Sequence, residues 1–175
     1  MKAIFLDIDG VLNCVETFMK NYEIWRNTGK RPVDLDEEKI KYLSKIVKET
    51  NAIIVLSSAW RSGFTKVEEG LIPGESRDSK ALFELLLKHD ITLYDKTGRN
   101  KDANRAEEIK DYLNQHQEIE EYLILDDECL SLNDEMKKHY IETTFNSDKD
   151  NGLLESHIDK AIQILNNKNI KVKRK

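Results

Sequence analysis

Two aspartates, Asp7 and Asp9, stand two residues apart where the apolar run Ala3–Leu6 ends, and Gly10 follows them. Side chains at i and i+2 of a strand project to the same side, so both carboxylates can face one cavity while Ile8 packs away. Two ionised carboxylates held close repel each other, so either one keeps a proton or a cation sits between them. The run "IIVLSS" ends in Ser57 and Ser58, and "YLILDD" ends in Asp126 and Asp127. Carboxylate-rich oxygen sites that leave room for water suit Mg²⁺. Phosphoryl transfer needs an attacking oxygen, charge to offset the phosphate, and donors for its equatorial oxygens. Each ending alone has a plainer reading. Asp9-Gly10 reads as a turn, the serines as a helix cap, and the second acid pair as a solvated loop.

What gives them joint weight is the order of the elements behind them. "KAIFLDI" reads as a buried strand, and "DEEKIKYLSKIVKET" as a helix with Ile40, Leu43, Ile46 and Val47 on one stripe and Asp34 or Asp36 as N-cap. "AIIVLSS" is a second strand, "SKALFELLLKHD" a helix with Leu82, Leu85 and Leu86 inward, and "ITLYD" a short third strand. "NRAEEIKDYLNQH" is a helix, "EYLILDD" a fourth strand, "HYIETTF" a fifth, and "LESHIDKAIQILNN" the closing helix with Ile158, Ala161, Ile162 and Leu165 on one face. Steady alternation implies an α/β, doubly wound, Rossmann-like parallel five-stranded sheet with helices on both faces. In such sheets ligands bind beyond the carboxyl ends of the strands. All three polar endings fall at that end. Two connections on the same side, "CVETFMKNYEIWRNTGKRPVDLD" and "AWRSGFTKVEEGLIPGESRD", are long and lack clean periodicity, so they are expected to be irregular and to lie over the site.

At 175 residues the chain suits one domain, expected over 1–166, followed by a basic tail over 167–175. Net charge is -5, which argues against a surface that is wholly a nucleic-acid or membrane footprint while leaving room for a local basic groove. Cys14 and Cys129 form no CxxC pattern and point to neither a disulfide framework nor a zinc site. Cys14 reads as a small apolar filler or, being near the acids, as a catalytic thiol. Neither a membrane-length apolar run nor a signal peptide is visible, and a cytoplasmic location is expected.

"DIDGVLN", "IIVLSSAWR" and "LILDDE" resemble the first, second and fourth motifs of the haloacid dehalogenase (HAD) superfamily of phosphatases. The further stretches "RAEEIKDYL" and "HYIETTFNSDKDNGL" are similar to one branch without a large cap domain, the HAD domain of Swiss Army Knife RNA-repair proteins. Leu154 departs from the small polar helix cap expected there. By position, the resemblance implies Asp7 as the nucleophile that forms an aspartyl-phosphate and Asp9 as the acid and then base. It implies Mg²⁺ held by Asp7, Asp127 with Asp126, and the backbone of Asp9. It gives phosphoryl contacts to Ser57 or Ser58, transition-state charge to Arg105 or Lys101, and close backbone approach to Gly10. Arg61 reads equally as a salt-bridge residue and as a substrate phosphate contact. Trp60 reads as packing.

A site without a large lid favours a large phosphorylated substrate, such as an RNA or DNA end, whose backbone Arg61, Lys66, Lys101, Arg105 and the basic tail would meet. Two alternatives are a phosphatase of small nucleotides or other phosphoesters, and a non-catalytic binding module resembling a receiver domain. Receivers place the acid pair and the phospho-acceptor on different strands, whereas here the DxD closes the first strand.

Overall fold

Ala3, Ile4, Phe5 and Leu6 are all fully buried. An uncharged, bulky run of this kind is stable only with cover on both faces, and β1 (Lys2–Leu6) accordingly lies at the centre of the sheet. The computed structural model describes residues 1–99, 104–128 and 131–166. Lys101, Cys129 and the basic tail lie outside the described residues.

The elements that follow are α1 (Val15–Thr28), α2 (Glu37–Thr50), β2 (Ile53–Leu56), β3 (Phe64–Val67), β4 (Gly70–Pro73), α3 (Arg77–Lys88), β5 (Leu93–Lys96), α4 (Arg105–Gln115), β6 (Glu121–Asp126), β7 (Tyr140–Glu142) and α5 (Ile158–Asn166). The main sheet has the order β5-β2-β1-β6-β7, and every pairing in it is parallel. The five strands expected from sequence are therefore present and parallel. The order reverses direction between β1 and β6, the place where such sheets open a crevice at their carboxyl ends.

Strand alternation assigns the two faces. Ile4, Leu6, Ile54, Leu56, Leu123 and Leu125 pack with α2, α3 and α5 through Ile40, Leu43, Leu82, Leu86, Ala161 and Leu165. Ala3, Phe5, Val55, Tyr122 and Ile124 pack with α4 through Ala106, Ile109, Tyr112 and Leu113. The register sets Phe5 beside Val55 on one side and beside Ile124 on the other. Asp7, Ser57 and Asp126 each lie two residues further on, so by strand parity they continue the α4 side of the sheet.

Two connections differ from expectation. The stretch after β1 is mostly α1, a 14-residue helix. Its inward positions are the polar Thr17 and Asn21, so no apolar stripe betrays it in the sequence. Gly29, at φ 70°, ends it with a left-handed cap, its N–H donating to the Trp25 carbonyl at 2.7 Å. The stretch after β2 is a 3₁₀ turn over Ala59–Gly63 followed by the antiparallel hairpin β3–β4. At the closing helix, the His157 ring accepts the Leu154 N–H at 3.2 Å, so a side chain three residues on supplies the cap that Leu154 lacks.

Candidate active site

β1 delivers Asp7, which is buried, and pins it by a backbone hydrogen bond from its N–H to the Leu125 carbonyl at 3.0 Å. β6 delivers Asp126, fully buried, and Asp127 follows it. Oxygen atoms of Asp7, Asp126 and Asp127 all lie within 4.8 Å of one another. Burial and the neighbouring Asp7 charge push the Asp126 and Asp127 carboxyls up to about 6. Burial also raises Asp7, opposed by the Arg105 charge and by a hydrogen bond from Ser58. The cluster therefore favours added positive charge.

Arg105 supplies part of that charge. It is the first residue of α4, and its Nη1 stands 3.1 Å from Asp7 Oδ2 and 2.5 Å from Asp126 Oδ2. Burial works against its charge, but Asp7 and Asp126 hold it firmly protonated. Asp126 is already engaged, with Oδ2 on Arg105 and Oδ1 accepting the Glu128 N–H at 3.0 Å. That division leaves Asp127 better placed than Asp126 to hold a cation, with Asp126 fixing the guanidinium.

Gly10 is what lets Asp127 approach. It has φ 74°, and a Cβ there would fall 2.2 Å from the Asp127 carboxylate. A side chain at that position would be strained in backbone and would collide with a group of the acidic cluster. Its N–H donates to Asn13 Oδ1 at 3.0 Å, and its carbonyl accepts the Thr143 hydroxyl at 2.6 Å.

Asp9 is half-buried and held from two directions. Asn13 Nδ2 donates to Oδ1 at 2.8 Å, and the Trp60 indole N–H donates to Oδ2 at 3.0 Å. Neither partner carries a functional signal in the sequence. Asn13, three residues past Gly10 in "DIDGVLN", was the more visible of the two, whereas Trp60 is 51 residues from Asp9.

The two serines divide. Ser58 caps the 3₁₀ turn, accepting the Trp60 backbone N–H at 3.3 Å, and hydrogen-bonds Asp7. Ser57 donates its backbone N–H to the Leu6 carbonyl at 3.0 Å, which sets it beside Asp7, and its buried Oγ has no hydrogen-bond partner among the described residues. A buried hydroxyl without a partner is costly unless a ligand oxygen completes it. Arg61 is buried. Its guanidinium donates to the Ser57 carbonyl at 2.6 Å and to Thr97 Oγ1 at 3.0 Å, and pairs with the buried Glu108 at 2.7 Å. It locks the end of β2 to α4 and so fixes Ser57 relative to Arg105. Cys14 is buried at the start of α1, its Sγ 3.6 Å from Thr17 Oγ1, and burial pushes its thiol up, which suits the filler reading. Lys101, the other basic candidate, lies outside the described residues.

The residues fit Mg²⁺ by their chemistry. Three carboxylates converge, they are buried enough to resist mutual ionisation, and a glycine clears the approach. Among the described residues, no helix is long and apolar enough to cross a membrane. The family model for the HAD domain in Swiss Army Knife RNA repair proteins matches residues 3–158. No curated protein and no solved structure matches.

Proposed function

The chain belongs to the family of HAD domains in Swiss Army Knife RNA repair proteins, and from that premise we propose that it is a Mg²⁺-dependent phosphatase working through an aspartyl-phosphate on an exposed phosphate of a large substrate, a nucleic-acid end. The observation that carries this is the convergence of Asp7, Asp126 and Asp127 on one another, with Arg105 against the first two.

In this reading a carboxylate oxygen of Asp7 attacks phosphorus, and the bond from phosphorus to the ester oxygen breaks. Asp9 acts as the acid and passes a proton to the departing oxygen. Water then attacks the phosphorus of the aspartyl-phosphate and gives a proton to Asp9. Inorganic phosphate leaves and Asp7 is restored. Trp60 and Asn13 hold the Asp9 carboxyl still through both transfers. The unpartnered Ser57 hydroxyl donates to a phosphoryl oxygen, and Arg105 offsets the charge that gathers in the transition state. Asp7, Asp127, Asp126 and the Asp9 carbonyl would hold Mg²⁺, which supplies further positive charge to the phosphoryl oxygens.

Support for a large substrate comes from the insertions that follow β1 and β2, one helix and one hairpin, with no large cap domain among the described residues. The family's association with RNA repair supports nucleic acid.

The test is phosphate release from 3′- and 5′-phosphorylated RNA and DNA oligonucleotides, mononucleotides, sugar phosphates and a phosphopeptide, with Mg²⁺ and with chelator. Mg²⁺-dependent release concentrated on one oligonucleotide class, and abolished by Asp7→Asn, is the expected result. Release mainly from small molecules overturns the substrate class, and release that survives Asp7→Asn overturns the nucleophile.

A further inference from the structure

α1 is built inside out. The residues it buries are Thr17 and Asn21, while Met19, Tyr22 and Trp25 are 63%, 50% and 46% exposed. Tyr22 and Trp25 are neighbours with ring centroids 5.7 Å apart and planes tilted by 55°. Large apolar groups gathered on one face of a helix mark a surface that meets a partner. Beside them lies a cavity of about 320 Å³ lined by Phe18, Met19, Tyr22, Glu23 and Arg31. That volume falls at the lower end of the roughly 300–1,000 Å³ of small-ligand sites and is large enough for a nucleobase.

The cavity is tied to the acidic site by a continuous set of polar contacts. Asn13, which holds Asp9, also donates to the Asp34 carbonyl at 3.0 Å. The Asp34 carboxylate accepts Asn21 of α1 at 2.9 Å and pairs with Arg31 at 2.9 Å. The charge of the segment differs from that of the whole. Residues 15–34 carry Lys20, Arg26, Lys30 and Arg31 against Glu16, Glu23 and Asp34, a small basic excess where the chain is net -5. Aromatic faces interleaved with cations are the elements that hold single-stranded nucleic acid, whose bases stack on rings while phosphates meet Lys and Arg.

We propose that the cavity on α1 is a base-binding subsite for single-stranded nucleic acid. Tyr22 stacks a base near the phosphorylated end, Trp25 extends the platform, and Arg31 contacts the backbone. The inference rests on the reading of the chain as a phosphatase of large phosphorylated ends, and it names how such an end is gripped.

The experiment measures fluorescence anisotropy of fluorescein-labelled RNA hexamers, one 3′-phosphorylated and one 5′-phosphorylated, with Asp7→Asn protein in Mg²⁺. The same comparison with wild type and an unphosphorylated hexamer makes no reference to turnover. Tyr22→Ala should weaken binding about tenfold or more, the size expected for losing a stacked base. Tyr94→Ala, an exposed ring on β5, should leave binding unchanged. Equal affinity in wild type and Tyr22→Ala, or equal loss in Tyr94→Ala, overturns the proposal. So does a wild type that sediments as a dimer and becomes monomeric in Tyr22→Ala, because the face would then be covered by a second copy. Phosphate release from p-nitrophenyl phosphate by the wild type reads the phosphatase separately, so failure of one reading is distinguishable from failure of the other.

Discussion

The Trp60 indole donates its N–H to Asp9 Oδ2 at 3.0 Å, joining the turn after β2 to the second aspartate of the β1 motif. With Asn13 on Oδ1, it leaves Asp9 little rotational freedom. A proton carrier works only within hydrogen-bond reach of its target, so orientation governs its rate. Trp60→Phe keeps an aromatic ring and removes the donor. We expect kcat to fall about ten- to a hundredfold with KM little changed. A fall confined to KM would instead place Trp60 in substrate binding.

Gly10→Ala sets a methyl group against the Asp127 carboxylate in a left-handed backbone. The backbone strain alone should cost about 1–3 kcal/mol. Displacement of Asp127 should also weaken the heat stabilisation expected when Mg²⁺ is added to the wild type. Urea unfolding and thermal melts with and without Mg²⁺ check both. An alanine variant with wild-type stability and wild-type Mg²⁺ response would refute the close approach.

Arg105 sits between two buried carboxylates. Arg105→Ala leaves both without their guanidinium, and removing one partner of a buried ion pair costs about 3–5 kcal/mol. Arg105→Lys keeps the charge and loses the planar fork, so it should lie between wild type and alanine. Urea midpoints order the three proteins, and an alanine variant as stable as the wild type would mean that the contacts contribute little.

The parts legible in the sequence are those written locally. The DxDG ending, the paired serines and the paired acids each occupy neighbouring residues at the end of an apolar run, and a parallel sheet brings such endings together. Long-range partners are a different matter. Trp60 meets Asp9, and Arg61 meets Glu108, across stretches of chain that no periodicity spans. α1 escaped for a physical reason, since the residues it buries are the polar Thr17 and Asn21 while Met19, Tyr22 and Trp25 are exposed. Hydrophobic periodicity reads burial, and this helix reverses the relation.

The acidic cluster also sets a pH dependence whose sign follows from the direction of its shifts. Asp126 and Asp127 are pushed up to about 6 in the folded protein, against about 4 for an unfolded aspartate. Between those values the folded state holds protons that the unfolded state has released. Stability from these groups is therefore greatest at the acid end of the window and falls as pH rises from about 4 through 6. Exposed carboxylates held low by lysines, such as Glu37 at about 2, act in the opposite sense as the pH falls, so a single melting curve mixes the two. Asp127→Asn isolates the cluster, because it removes one of the raised carboxyls and leaves the surface pairs in place. In chelator at pH 7.5 the variant should melt higher than the wild type, and the gap should narrow as the pH falls through 6 and vanish only below about 4. In Mg²⁺ at pH 7.5 the order should reverse, since the ionised Asp127 then has a cation to hold. If chelator and Mg²⁺ gave the same order at pH 7.5, Asp127 would not be a cation ligand.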